Sequence, residues 1–367
     1  MAKLFTSLDL DKLTLKNRII IAPMCMYSAE HGKMTDWHQQ HLGMLAQSGA
    51  GMLIIEATAV EPRGRISYAD VGLWDDLTEQ AMGRVLESIR RYSDMPIAIQ
   101  LAHAGRKASC SKPWDSDAGA QIAPTHDLGW QTISASDVPY HNHDNPPQTM
   151  TLDDIEALKS SFVDAAVRAA KLGLDAIEIH AAHGYLLHQF LSPLSNLRDD
   201  QYGGTLENRM RLTLEVFDGI RSVFPKEKPV GIRISGSDWV DRGWDIEQSI
   251  ELAKALDARG CSFIHVSSGG LSEYQQISIG PGYQLALAEK VKAAVKMPVI
   301  GVGLITEPEH AESVLLSGQA DAIALARGIL YDPRWPWHAA AALGASIQPA
   351  LPYYRCAPHS AQTLFKK

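Results

Sequence analysis

Residues 176–185 read Ala-Ile-Glu-Ile-His-Ala-Ala-His-Gly-Tyr. The run Ala176–Ile179 is short, aliphatic and β-like. It stops at two imidazoles, His180 and His183, and a phenol, Tyr185, follows. On a regular strand, positions i and i+3 face opposite sides. For both imidazoles to serve one site, the chain must turn just after His180, where a strand gives way to a loop. Barrel enzymes place their chemistry at such strand ends. Three proton-capable side chains there can grip a carbonyl oxygen and supply a proton. Two other readings stand beside that one. The histidines can be core or loop residues bonded to backbone, or the pair can belong to a zinc site, for which no third and fourth ligand stands nearby.

Working outward, the same alternation of short aliphatic run and longer helix-period stretch recurs along the chain. Strand candidates are 18–23, 52–57, 97–102, 176–180, 230–234, 263–267, 298–303 and 322–326. Near-continuous apolar runs of this kind suit a parallel sheet buried on both faces. Helix candidates are 36–48, 78–92, 152–172, 208–224, 246–259, 283–296, 308–318 and 334–343. Thr151 and Asp245 are start signals, and Gly49, Gly173, Gly260, Gly318 and Gly344 are stop signals. Eight strand–helix units with right-handed crossovers close a (β/α)8, or TIM, barrel of the α/β class. A doubly wound open sheet is the rival, but the chain lacks a dinucleotide Gly-rich turn. Residues 4–16 read as a hairpin capping the barrel floor. Residues 104–150, polar and rich in Pro, Trp and His, read as a loop excursion after strand three, near the active-site mouth. The whole chain, 1–367, is expected to be one barrel domain. Its tail, 348–367, must dock on something or be disordered.

Composition bounds the function classes. With 46% hydrophobic and 21% charged residues and a net charge of -8, the chain has a sizeable core and no basic footprint for nucleic acid. No apolar run approaches the ~18–20 residues of a membrane span, and no Lys/Arg run points to an anionic membrane surface. The four cysteines, Cys25, Cys110, Cys261 and Cys356, are too scattered for a disulfide framework or a metal site. A reduced, cytoplasmic chain is expected.

In a barrel, function lies just past each strand's C-terminal end. Unit one ends Ala22-Pro23-Met24-Cys25-Met26-Tyr27, with Cys25 and Tyr27 on one side if the segment is extended. Unit two offers Glu56-Ala57-Thr58, small enough for a planar ligand to approach. Unit three offers Gln100, which can donate and accept at once, as an imide edge requires. Unit five carries Arg233 inside an apolar strand. A charge there needs a partner, either a ligand or an internal ion pair with a strand carboxylate. After units seven and eight stand Gly301-Val302-Gly303 and Ala326-Arg327-Gly328, the usual place for a phosphate in a barrel. Phosphate, planar ring and imide edge together describe flavin mononucleotide.

These residues also carry a resemblance. Pro23-Met-Cys-Met-Tyr27, Gln100-Leu-Ala-His-Ala-Gly-Arg-Lys107, His180-Ala-Ala-His-Gly-Tyr185 and Ser192-Pro-Leu-Ser-Asn196 resemble the Old Yellow Enzyme family, in particular its bacterial cysteine-containing branch of ene-reductases. The likeness runs from about residue 4 to Arg355. It implies an FMN-dependent, NADPH- or NADH-oxidising reductase of activated alkenes, with a role in detoxifying electrophiles. By the resemblance Ala22, Pro23, Met24, Cys25, Ala57, Gln100, Arg233, Gly303, Ala326 and Arg327 contact FMN. His180 and His183 bind the substrate oxygen, Tyr185 supplies a proton, Tyr27 lines the pocket, and no metal is held. Cys25 tunes the flavin. Arg355 reaches into a neighbour's site, which implies a homodimer or a homotetramer built from such dimers. Ala326 and Ala22 stand where the branch often has glycine and serine. The alternatives are another flavin barrel of the dienoyl-CoA reductase kind, and a non-redox barrel aldolase or binding protein.

Overall fold

Eight aliphatic runs pair in parallel, each with its neighbours in sequence, and close on themselves. In the computed structural model, which describes residues 2–366, the barrel strands are β1 (Ile19–Ile21), β2 (Met52–Ala59), β3 (Ile97–Ala102), β4 (Ala176–Ala181), β5 (Val230–Ser235), β6 (Ile264–Ser267), β7 (Val299–Val302) and β8 (Ala322–Leu325). The β8–β1 pair, with Ala324 opposite Ile20, shuts the ring. Every residue of these strands is buried. Both faces are covered, so the strands read as unbroken apolar runs rather than alternating ones.

The expected helices form an outer layer: α1 (Asp36–Leu45), α2 (Asp76–Arg90), α3 (Leu152–Lys171), α4 (Leu206–Val223), α5 (Ile246–Asp257), α6 (Leu285–Lys292), α7 (Pro308–Leu316) and α8 (Trp335–Ala342). The start signals act as capping chemistry demands. The Thr151 hydroxyl accepts from Asp154 N, and the Asp245 carboxylate accepts from Gln248 N. All five stop glycines take left-handed backbone. Two short helices, Leu186–Leu191 and Arg327–Tyr331, escaped the periodicity. The first is buried on every side and so shows no amphipathic stripe.

The hairpin is present, with Leu8–Leu10 antiparallel to Leu13–Leu15. Its Leu10 and Leu15 pack with Ile20, Met52, Ala98, Ala176 and Phe263, at the N-terminal ends of the strands. One end of the barrel is therefore plugged with hydrocarbon, and the polar strand ends collect at the other. Between β3 and α3 the chain carries a single 3-10 turn, Gly105–Lys107, and two two-residue strands, Ile133–Ser134 and Gln148–Thr149. The tail folds back on its own chain. Ile347 bridges to Phe365, whose ring lies 5.0 Å from Trp337, and Arg334 sits 4.3 Å over Trp337 and 4.6 Å over Tyr353. Leu351 shares a groove with Lys16, Pro96 and Asp175, residues that precede strands, so this part of the tail lies toward the floor end of the barrel, and Arg355 is exposed. Among the described residues no helix is long and apolar enough to cross a membrane.

The plug depends on one missing side chain. A methyl group on Gly231 would stand 2.4–2.5 Å from three atoms of the fully buried Phe263 ring. Gly231→Ala should therefore cost ~1–3 kcal/mol by overpacking, read as a lower urea midpoint at unchanged slope. An unshifted midpoint would mean that the floor is loosely packed.

Candidate active site

Strand β4 runs one residue beyond the expected span, because Ala181 still pairs with Ile234. The chain then turns at His183 and Gly184, both left-handed, with φ of 58° and 74°. That turn swings His183 back beside His180: the ring centroids are 5.2 Å apart and perpendicular, and the Tyr185 ring stands 4.9 Å from His180. The structure thus brings together the three proton-capable rings.

The turn is held from outside. A Cβ on Gly184 would strike Gly270 O at 2.1 Å, and one on Gly270 would strike the His183 backbone at 2.6 Å, so the loops after β4 and β6 meet backbone to backbone. Lys107 Nζ donates to both carbonyls, His183 O at 2.9 Å and Gly270 O at 2.8 Å. It also lies 5.1 Å over the Tyr185 ring and 4.5 Å over Tyr140. Among the described residues it has no carboxylate partner. Burial, reinforced by Arg106, lowers its ammonium to about 8. Lys107 was quoted in the sequence motif but given no role there.

The electrostatics suit proton handling. Burial first, then the Arg233 charge, hold both histidines well below the ordinary imidazole range, so both are neutral at pH 7. His180 Nδ1 accepts from Ala182 N at 3.3 Å, which assigns its proton to Nε2 as a free donor. His183 Nε2 lies 2.7 Å from Ser267 Oγ, which is also 3.2 Å from Gln284 Oε1. The single Ser267 proton serves one of these partners and so selects the His183 tautomer. Burial pushes the Tyr185 phenol well above its usual value, and it keeps its proton.

At the exit of β1, Met26 N donates to Glu56 Oε2 at 3.0 Å, across a register shift in β2 at Glu56. Tyr27 is left-handed, with φ of 48°, so the extended reading of Cys25 and Tyr27 fails there; the Tyr27 ring meets Trp114 at 5.9 Å. Burial, with Asp70 and Glu56 nearby, raises the Cys25 thiol well above the ordinary range, so no thiolate nucleophile is on offer.

In the barrel wall, Gln100 Nε2 donates to Glu178 Oε1 at 2.7 Å, and His265 Nδ1 meets Glu178 Oε2 at 2.9 Å. Arg233 is buried, and its Nε has no hydrogen-bond partner. It feels Glu178 electrostatically but forms no ion pair with it among the described residues. The internal-ion-pair reading of Arg233 therefore fails among the described residues. Gly303, at φ 129°, faces Gln284 and Tyr283 with no room for a Cβ, and Arg327 is exposed beside Ala326. Among the described residues no group of three or more His, Cys, Asp or Glu is arranged to hold a metal ion. Glu178, His265 and Asp70 were missed as site residues, while Glu56 stood in the unit-two strand end without a role of its own. A carboxylate inside Ala-Ile-Glu-Ile carried the same signal that marked Arg233.

The chain matches the NADH:flavin oxidoreductase / NADH oxidase family across residues 3–345. It is 44% identical over 333 residues to an NADH:flavin oxidoreductase of Gibberella zeae, covering 86% of this chain and 80% of that protein. It is 40% identical over 355 residues to an NADPH dehydrogenase of Bacillus licheniformis, covering 96% and 98%. The structure of morphinone reductase in complex with tetrahydroNAD superposes with a TM-score of 0.76 at 28% identity, covering 94% of this chain and 92% of that one. The chain belongs to the NADH:flavin oxidoreductase / NADH oxidase family, as its Old Yellow Enzyme motifs implied. It is an oxidoreductase with FMN as cofactor and a reduced nicotinamide nucleotide as reductant.

Asp70 offers a test of the site's electrostatics. Burial, then Glu56, raise its carboxyl to about 8; one oxygen accepts from Ile66 N at 2.7 Å and the other has no partner. The folded chain keeps a proton that the unfolded chain loses near ~4. Stability contributed by that protonated state is complete below ~4 and falls as pH rises to about 8. Asp70→Asn keeps an acceptor for Ile66 and removes the titration. Its Tm should exceed wild type by ~2–5 °C at pH 8.5 and by less at pH 5. A gain that does not vary with pH would contradict the raised carboxyl.

Proposed function

We propose that this enzyme reduces carbon–carbon double bonds activated by a neighbouring carbonyl or nitro group, as in enones, maleimides and nitroalkenes. Nicotinamide nucleotide and alkene occupy the same mouth in turn, a ping-pong sequence. The observation that carries this reading is the ring cluster after β4: two neutral imidazoles beside a phenol that holds its proton. FMN, when bound, would supply the hydride-transfer chemistry between nicotinamide and alkene.

The chain's own residues do the rest. His180, with its Nε2 proton free, and His183 bind the substrate oxygen where negative charge develops, the kind of preorganised donor that contributes most to such reactions. Tyr185 gives its proton to the α-carbon from the opposite side. Tyr27 lines the pocket. Ala22, Pro23, Met24, Cys25 and Ala57 flank the ring, with Cys25 as a polarisable contact and not a nucleophile. The free Gln100 oxygen suits an imide N–H, and the unpartnered Arg233 Nε suits an electron-rich carbonyl edge. Gly303, Ala326 and Arg327 are the phosphate end. Free cysteines throughout the described chain fit a cytoplasmic enzyme.

Arg355 is exposed, and it follows Leu351, which lies toward the floor end of the barrel. We assign it to the active site of a second copy, in a homodimer or a tetramer of dimers. An aromatic–arginine segment is the composition that interface anchors favour.

Two variants test the roles. His183→Ala should slow enone reduction ~10²–10³-fold and weaken binding of para-substituted phenols, whose oxygen mimics the enolate. Retention of both properties would remove His183 from the oxygen site. For Tyr185→Phe, stopped flow should show normal flavin reduction by NADPH and an oxidative half-reaction with a cyclic enone that is slower by ~10²-fold or more. An unchanged oxidative rate would leave Tyr185 as a pocket wall.

A further inference from the structure

Gln100 presents a problem that its own side chain cannot solve. A carboxamide has one oxygen and one nitrogen of nearly equal size, and rotation by half a turn exchanges them. Facing an imide edge, one orientation sets an acceptor against the N–H and a donor against a carbonyl. The other sets donor against donor and acceptor against acceptor. Something in the wall must choose.

We propose that Glu178 is a positioning residue that fixes the Gln100 carboxamide in the orientation able to pair with the flavin imide edge, an inference that rests on FMN occupying this site. Gln100 Nε2 donates to Glu178 Oε1 at 2.7 Å, and Gln100 Oε1 makes no hydrogen bond to the chain. In the flipped orientation the amide oxygen would face that carboxylate oxygen at the same separation, lone pair against lone pair. The carboxylate cannot turn away to accommodate it. Its second oxygen is tied to His265 Nδ1 at 2.9 Å, and both Glu178 and His265 are fully buried. Burial, then the Arg233 charge, keep His265 neutral, so with its proton on Nδ1 it serves Glu178 as a donor.

The register explains why these groups meet. Gln100 on β3 stands opposite Glu178 on β4, so the pair is built into the strand ladder. A simpler role for Glu178, as counter-ion to Arg233, is not what the geometry shows, since no ion pair joins them. A buried carboxylate is expensive unless its oxygens are occupied. Here both are occupied by donors, one of them the amide that must be oriented.

The test is a double-mutant cycle on FMN affinity, measured by titrating apoprotein with FMN and following flavin fluorescence, with midpoint potentials recorded alongside. Glu178→Gln keeps the shape but accepts either amide orientation, so the dissociation constant should rise roughly tenfold and the midpoint potential should shift. In a Gln100→Ala background the same substitution should change affinity by less than ~2-fold, because no amide remains to be oriented. Equal losses in both backgrounds would show that Glu178 acts as a charge or as a structural group, and would overturn the proposal. Wild-type affinity in Gln100→Ala alone would remove Gln100 from the imide edge, and the proposal with it; failure of the flavin reading itself would appear separately, as wild-type apoprotein that takes up no FMN. Should Glu178→Gln not fold, Glu178→Asp, which keeps the charge and shortens the reach, reads the same cycle with the same two outcomes.

Discussion

A guanidinium buried in the wall of a closed barrel constrains everything around it. Arg233 sits on β5 with its Nε unpartnered and no carboxylate in ion-pair contact among the described residues. Such a charge is costly unless a ligand or a network answers it. Its field reaches the histidines, helping burial to hold His180, His183 and His265 neutral. A neutral imidazole is what a substrate-binding pair needs, since it can donate without adding a fixed charge. Burial, charge and proton inventory at this end of the barrel therefore form one problem with one solution.

Backbone geometry supplies the second part of that solution. The two imidazoles meet only because His183 accepts a left-handed conformation, which costs energy for a residue with a Cβ. Gly184 and Gly270 allow the two loops to touch, and Lys107 bonds both carbonyls across the contact. A cation that binds carbonyls rather than carboxylates also leaves positive potential beside Tyr185. Position and electrostatics are set here by the same side chain.

Much of the fold was legible because barrel strands are buried on both faces and announce themselves as aliphatic runs, while stop glycines such as Gly173 and Gly260 punctuate the helices. The ring cluster was legible for a similar reason: two imidazoles after a strand can share a site only through a turn, and that turn was found at His183. Other features left weak traces. Leu186–Leu191 is buried all round and has no period to read. The turn at Tyr27 arises from tertiary contacts, Met26 on Glu56 and Tyr27 on Trp114, that no local pattern encodes. Glu178 was passed over even though a carboxylate in an apolar strand is as conspicuous as an arginine; its meaning appears only when the register sets it against Gln100. Whether a second copy meets Arg355 is a property of an assembly, which one chain's sequence does not encode.

The most direct measurement is the FMN content and affinity of Arg233→Met, with far-ultraviolet circular dichroism as the control for folding. Methionine fills much of the same volume and removes the buried charge. The expected result is a folded barrel that is purified largely without flavin and binds added FMN at least ~10-fold more weakly than wild type, the loss of a charged hydrogen bond. A folded Arg233→Met chain holding FMN stoichiometrically with wild-type affinity would contradict the account, since the buried cation would then have no part in forming the site.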